Sequence, residues 1–114
     1  MSDCLFCKIV NGDIPTELIY EDDDVVAFND ISPQAPTHIL IIPKNHIATL
    51  NDSDDTDAMV LGKLNRVASA LARENGFADD GYRVVINCND AGGQAVYHIH
   101  LHLLAGRQMH WPPG

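Results

Sequence analysis

The 114-residue chain is poor in positive charge: seven Lys and Arg stand against sixteen Asp and Glu, for a net charge of −9. Nucleic acid polymers are held through a basic footprint, so none is expected as a partner. A single phosphate ester, which backbone amides and imidazoles can hold, is not excluded. Cysteine is scarce, with three residues. A small odd number gives no disulfide framework and suits a reducing compartment, so a cytoplasmic protein is expected. No apolar run reaches the roughly 20 residues of a membrane span. The start, MSDCLFCKIVNGD, lacks the basic residues and long apolar stretch of a secretory signal, and no membrane partner is expected. The remaining balance, 46 % hydrophobic and 20 % charged, is that of an ordinary globular chain, read as one domain over 1–114.

Periodicity divides the chain. Residues 4–11 read as a short helix closed by Asn11 and Gly12. ELIYEDDDVVAFND reads as a hairpin with strands near 17–21 and 25–29. THILIIPK is an apolar strand ending at Pro43. From Ser53 to Gly76 the period becomes helical, with Val60, Leu61, Leu64, Val67, Ala68, Leu71 and Ala72 in one stripe. Asp54, Asp55 and Asp57 suit the positive end of the helix dipole and Arg73 the negative end. YRVVINC is a further strand, NDAGGQAV a loop, and GRQMHWPPG an extended tail in which two prolines forbid helix. The fold class is α+β: a mainly antiparallel five-stranded sheet with one long and one short helix.

Half of the six histidines lie in YHIHLHLLAG. His98, His100 and His102 alternate with Ile99, Leu101 and Leu103, the pattern of a strand with one apolar face and one imidazole face. Neighbouring histidines would stand roughly 6.6–6.8 Å apart and the outer two about 13 Å. Metal-bound nitrogens converge to about 2.1 Å from the ion, so one metal held by all three is disfavoured. Two functions shared along the strand, metal binding and imidazole catalysis, fit better.

His98-Ile-His100-Leu-His102-Leu-Leu104 resembles the signature of the histidine triad (HIT) family. DISPQAPTHILIIPKNHI (30–47), GGQAVYHIHLHLLAGRQMHWPPG (92–114) and FCKIVNGDIP (6–15) resemble its Hint branch, the nucleoside phosphoramidases. The resemblance implies a HIT-like sheet and a homodimer with ten strands in one sheet. It implies hydrolysis of purine nucleoside 5′-phosphoramidates, with the purine nucleotide as substrate. In this reading His100 attacks phosphorus to form a nucleotidyl-imidazole, the carbonyl of His98 orients His100, and His102 donates to a phosphate oxygen. The glycine-containing loop offers amides to the same anion. Asp30 would accept from the ribose hydroxyls, Phe6, Phe28, Ile31 and Leu5 would enclose the base, and Asn87 would meet the sugar–phosphate. Gln94 and the amide of Ala95 would approach the phosphate. Ala95 stands where many members have serine, and Asn29 where some have histidine. Trp111 would reach the partner's leaving-group pocket. Two alternatives stay open: a nucleotide-binding regulatory or scaffold protein with low turnover, and a dinucleoside polyphosphate hydrolase.

Cys4-Leu-Phe-Cys7 has the spacing of half a zinc site. Related branches hold zinc with two such cysteines, the equivalent of His46 and the first triad histidine. The resemblance thus implies a closed structural zinc site of Cys4, Cys7, His46 and His98. His38 is either a partner that orients a triad ring or a core histidine.

Overall fold

Strand pairing across long stretches of chain carries the histidine segment into the interior of a sheet. The computed structural model describes residues 3–114. In chain order it has α1 (Leu5–Val10), β1 (Leu18–Glu21), β2 (Val25–Asn29), β3 (Thr37–Pro43), α2 (Ala58–Glu74), β4 (Arg83–Ile86), α3 (Asn89–Gly92) and β5 (Leu101–Ala105). The five strands are antiparallel in the order β1-β2-β3-β5-β4. β5 therefore lies between β3, where His102 faces Leu40, and β4, where it faces Val85. This is the expected α+β sheet. Among the described residues no helix is long and apolar enough to cross a membrane.

Alternation gives the sheet two dry faces. Val25, Ala27, Ile39, Ile41, Ile99, Leu101 and Leu103 pack with Leu64, Val67, Ala68 and Leu71 of α2. Val26, Phe28, Leu40 and Ile42 pack on the other side with Phe6 and Ile9 of α1. Each large aliphatic side chain buried this way contributes roughly 1.5–3 kcal/mol. The short helix α1 thus roofs the face that carries the histidines.

Besides one- or two-residue differences at the ends of α1 and β4, three boundaries differ from the sequence reading for a physical reason. Regular helix starts at Ala58 rather than Ser53, because side chains upstream take the backbone amides. Asp54 accepts from Thr56, Asp57 accepts from the Asp54 amide, and a 3₁₀ turn over Asp55–Asp57 results. α3 replaces part of the expected loop: Asn89 (φ +62°) and Gly93 (φ +80°) bracket a single turn, whose first amide donates to the side chain of Gln94. The β5 ladder begins at Leu101, after His98 and His100. The backbone of that earlier segment is engaged elsewhere, with Ile99 N–H donating to the carbonyl of Ile47 at 2.7 Å.

The β1–β2 turn is tied to α2. Asp22 accepts from the amides of Asp24 and Val25 and from Tyr20 Oη, and Lys63 bridges Asp22 and Asp24 at 2.9 Å. Burial alone would raise the Asp22 carboxyl; the bonds from Lys63, Tyr20 and the two amides outweigh it and hold the group well below the usual carboxylate range.

Candidate active site and metal cluster

Although only His102 lies in the regular ladder, all three triad rings occupy the α1 side of the sheet. Phe6 of α1 meets His98 and His100 edge-on, with centroids 6.0 and 5.1 Å apart, and His100 lies 4.9 Å from His102. His98 and His100 are buried.

Backbone carbonyls fix two of the rings. The Nε2–H of His98 donates to the carbonyl of Pro43 at 2.8 Å. The Nδ1–H of His100 donates to the carbonyl of His98, also at 2.8 Å. A carbonyl only accepts, so each ring nitrogen in contact carries the hydrogen. In the neutral rings this leaves a lone pair on Nδ1 of His98 and on Nε2 of His100. Burial pushes the pKa of His98 down, opposed by its bond to Pro43. His102 is held down to about 4, first by burial and then by His100 and His38, so it is neutral at pH 7.

The lone pair of His98 meets the cysteines. Its Nδ1 lies 3.3 Å from Cys4 Sγ, 3.5 Å from Cys7 Sγ and 3.3 Å from His46 Nδ1, which is 3.3 Å from Cys7 Sγ. The four ligand atoms lie within 4.8 Å of one another. A tetrahedral zinc with two N and two S ligands has ligand–ligand edges of about 3.3–3.8 Å. The donor set therefore fits, and the bond to Pro43 fixes the tautomer a ligating His98 needs. A cleft of about 790 Å³ opens beside the cluster, lined by Leu5, His46, Ala95 and Tyr97 among others.

Asp30 begins a turn, with Oδ1 accepting from Ser32 N–H, while its Oδ2 lies 3.4 Å from His38 Nε2. His38 is buried, its Nε2 2.9 Å from His102 Nδ1. Phe6 and Phe28 are buried edge to face at 5.6 Å. Leu5 is half-exposed and Ile31 is 99 % exposed. Asn87 follows β4 directly. Gln94 is buried and braces its loop: Nε2 donates to Ala48 and Val96 carbonyls, and Oε1 accepts from Asn89. Its side chain is thus committed to protein backbone, and the amides of Gly93 and Gln94 bond to carbonyls of Asp90 and Asn89. Trp111 is exposed, on a tail fastened where Arg83 donates to the carbonyl of His110.

Three contacts were not anticipated from the sequence: the carbonyls of Pro43 and Ile47 and the amide of Gln34, which bonds to His38. All are backbone groups, and residue identity carries no signal for them.

A HIT domain model matches residues 11–109. The chain is 52 % identical over 105 residues to the purine nucleoside phosphoramidase of Escherichia coli K12, covering 92 % of this chain and 88 % of that protein. It is 52 % identical to a 14 kDa zinc-binding protein of Zea mays, over 99 % of this chain and 89 % of the other. A crystal structure of a HIT family hydrolase from Legionella pneumophila Philadelphia 1 superposes with a TM-score of 0.95 at 58 % identity, covering 98 % of this chain and all of that one.

Proposed function

Since the chain belongs to the HIT family, and its relatives include a purine nucleoside phosphoramidase and a HIT family hydrolase, we propose that it cleaves the P–N bond of purine nucleoside 5′-phosphoramidates through a covalent intermediate on His100. The observation that carries this reading is the ring of His100, with Nδ1–H fixed on the His98 carbonyl and the lone pair on Nε2, 4.9 Å between centroids from His102. Nε2 attacks phosphorus, and as the P–N bond breaks the leaving nitrogen takes a proton from solvent and departs as the amine, a proton that the later attack of water returns. Water then attacks the nucleotidyl-imidazole, releasing the nucleoside monophosphate and neutral His100. His102 donates to a phosphoryl oxygen as charge develops.

The rest of the site follows the same reading. Asp30 accepts from the ribose, Phe6 and Phe28 form the wall against the base, and Leu5 and Ile31 form its outer lip. Asn87 and the amide of Ala95 serve the sugar–phosphate, beside Gln94, whose side chain braces the loop that presents that amide. Cys4, Cys7, His46 and His98 hold a structural zinc, which supplies a rigid cross-link between α1 and the triad segment. The chain is a single domain over 1–114 and pairs as a homodimer in which Trp111 borders the partner's leaving-group pocket.

Ala95 favours a second reading, a nucleotide-binding regulatory module of low turnover, because a methyl group cannot bond phosphate or leaving group. One assay separates the readings: burst and steady-state turnover on adenosine phosphoramidates with varied amines, with a diadenosine polyphosphate alongside. Turnover with a burst of amine supports the phosphoramidase. Tight AMP binding without turnover supports the module, and preference for the polyphosphate supports the dinucleotide hydrolase.

A further inference from the structure

We propose that Cys4 and Cys7 are an oxidation site, at which a peroxide joins the two sulfurs in a disulfide, the zinc is released and the triad loses an anchor. The inference rests on the zinc reading above and adds to it a second, metal-free state of the cluster.

The first observation is how unevenly the cluster is enclosed. His98 has no exposed surface, whereas His46 is exposed and both cysteines are half-buried. Cys4, Cys7 and His46 line the cleft beside the cluster, together with Asp3, Leu5 and Tyr97. A small uncharged oxidant therefore meets the sulfurs from this side without any element moving. Ligation also keeps both sulfurs as thiolates, the form that attacks peroxide. A cysteine with the ordinary pKa of about 8.5 is mostly thiol at pH 7.

The second observation is the placing of the pair. Cys4 is the N-cap of α1 and Cys7 its third residue, and Cys4 Sγ accepts from the Cys7 amide at 3.3 Å. The ligand atoms of the cluster lie within 4.8 Å of one another. A disulfide brings two sulfurs to about 2.05 Å, and rotation of two side chains on one turn supplies that movement. Cys88, at the start of α3, is not part of the cluster.

The chemistry closes on the peroxide alone. One thiolate attacks a peroxide oxygen, the O–O bond breaks, and the departing hydroxide becomes water with a proton from solvent. The resulting sulfenic acid is attacked by the second thiolate. The S–S bond forms, the S–O bond breaks, and a second hydroxide is likewise protonated. Two thiolates are oxidised to one disulfide, and one peroxide is reduced to two waters.

The third observation connects the cluster to the triad. The His98 ring faces the sulfurs while its carbonyl holds His100 Nδ1–H. Ile99 N–H donates to the Ile47 carbonyl, tying the residue after His98 to the residue after His46. A disulfide carries no charge and ligates zinc poorly. When the ion departs, His98 keeps its bond to the Pro43 carbonyl but loses the constraint on Nδ1. The carbonyl that orients His100 is then held less firmly, and turnover falls.

The test treats the zinc-loaded chain with a few equivalents of hydrogen peroxide in the presence of a colorimetric zinc chelator. About one zinc per chain should be released. The tryptic peptide ending at Lys8, which holds both cysteines, should lose two hydrogens in mass. On an adenosine phosphoramidate kcat should fall about tenfold or more. Dithiothreitol with added zinc should restore metal and rate together, which it would not do for methionine sulfoxide. Cys88→Ser should leave release, disulfide and basal turnover as in the wild type. Zinc retained while peroxide oxidises Cys88, or zinc lost with Cys4 and Cys7 carried to sulfinic acids and no disulfide, would overturn the proposal. Release and disulfide with unchanged kcat would overturn the link to His100. Protein purified without zinc would overturn the proposal together with the metal reading. Release and disulfide in a protein without phosphoramidase turnover would support the oxidation site and count against the function instead.

Discussion

His98 serves two neighbours at once: its carbonyl accepts the Nδ1–H of His100 at 2.8 Å, and its ring turns Nδ1 toward the sulfurs of Cys4 and Cys7. The cluster and the proposed nucleophile are thereby coupled through a single residue, buried with no exposed surface.

Replacing His100 by Asn should remove the attacking lone pair while nearly preserving volume. We expect kcat to fall by about three orders of magnitude or more, with AMP affinity, measured by calorimetry, within a few-fold of wild type. Near-normal turnover would remove His100 from the role of nucleophile.

Metal analysis of protein purified without added zinc should find about one ion per chain, as four ligands for a tetrahedral ion require. Cys4→Ser or Cys7→Ser should lose the ion and lower Tm by several degrees. Because the His98 carbonyl orients His100, these variants should also lose kcat without touching the nucleotide. Wild-type metal content in both would refute the ligand set.

Stability should fall with acid well before the carboxylates titrate. His38 and His102 have folded pKa values below the ordinary 6.5, His102 near 4. Between these pH values the unfolded chain takes up protons that the folded chain refuses. Stability is therefore complete above pH 6.5 and declines as pH drops toward 4. Thermal melts from pH 7 to 5 should show this slope, and His102→Gln should flatten it. A wild-type melting point independent of pH across that range would contradict the burial argument.

Leu64 of α2 is fully buried against the sheet. Leu64→Ala should cost about 2–5 kcal/mol in urea unfolding. A loss under about 1 kcal/mol would mean that the helix–sheet core collapses around the cavity.

Sedimentation should give about twice the 12.5 kDa chain mass. Deleting residues 109–114 should alter the preference among leaving groups more than it alters AMP binding. A monomer, or an unchanged substrate profile, would detach the tail from the site.

The elements were legible where side-chain period reports burial. The stripe from Leu64 to Ala72 marks the core face of α2, and the apolar run THILIIPK reads as a strand, which the fold buries on both sides. Boundaries were less legible where side chains compete for backbone amides, as Asp54 and Asp57 do before α2. In the site, Cys4, Cys7, His46 and His98 are drawn together as the resemblance implies. What residue identity left open was which nitrogen of each ring carries the hydrogen. Pro43, His98 and Gln34 decide it through main-chain groups that any residue would provide. Gln94 shows a further use of side chains that the sequence does not announce: its amide group braces the loop before the triad segment.

The placement of β5 between β3 and β4 has a consequence for the history of each molecule. Thr37 pairs with Ala105 and Ile41 with Leu101, so more than half of the chain must be looped out before the pairing closes. Such closures are unfavourable until their contacts form, and they come late in folding. The His38–His102 contact exists only across that seam. The histidine pair therefore cannot assemble before β5 has been added to the chain and paired with β3.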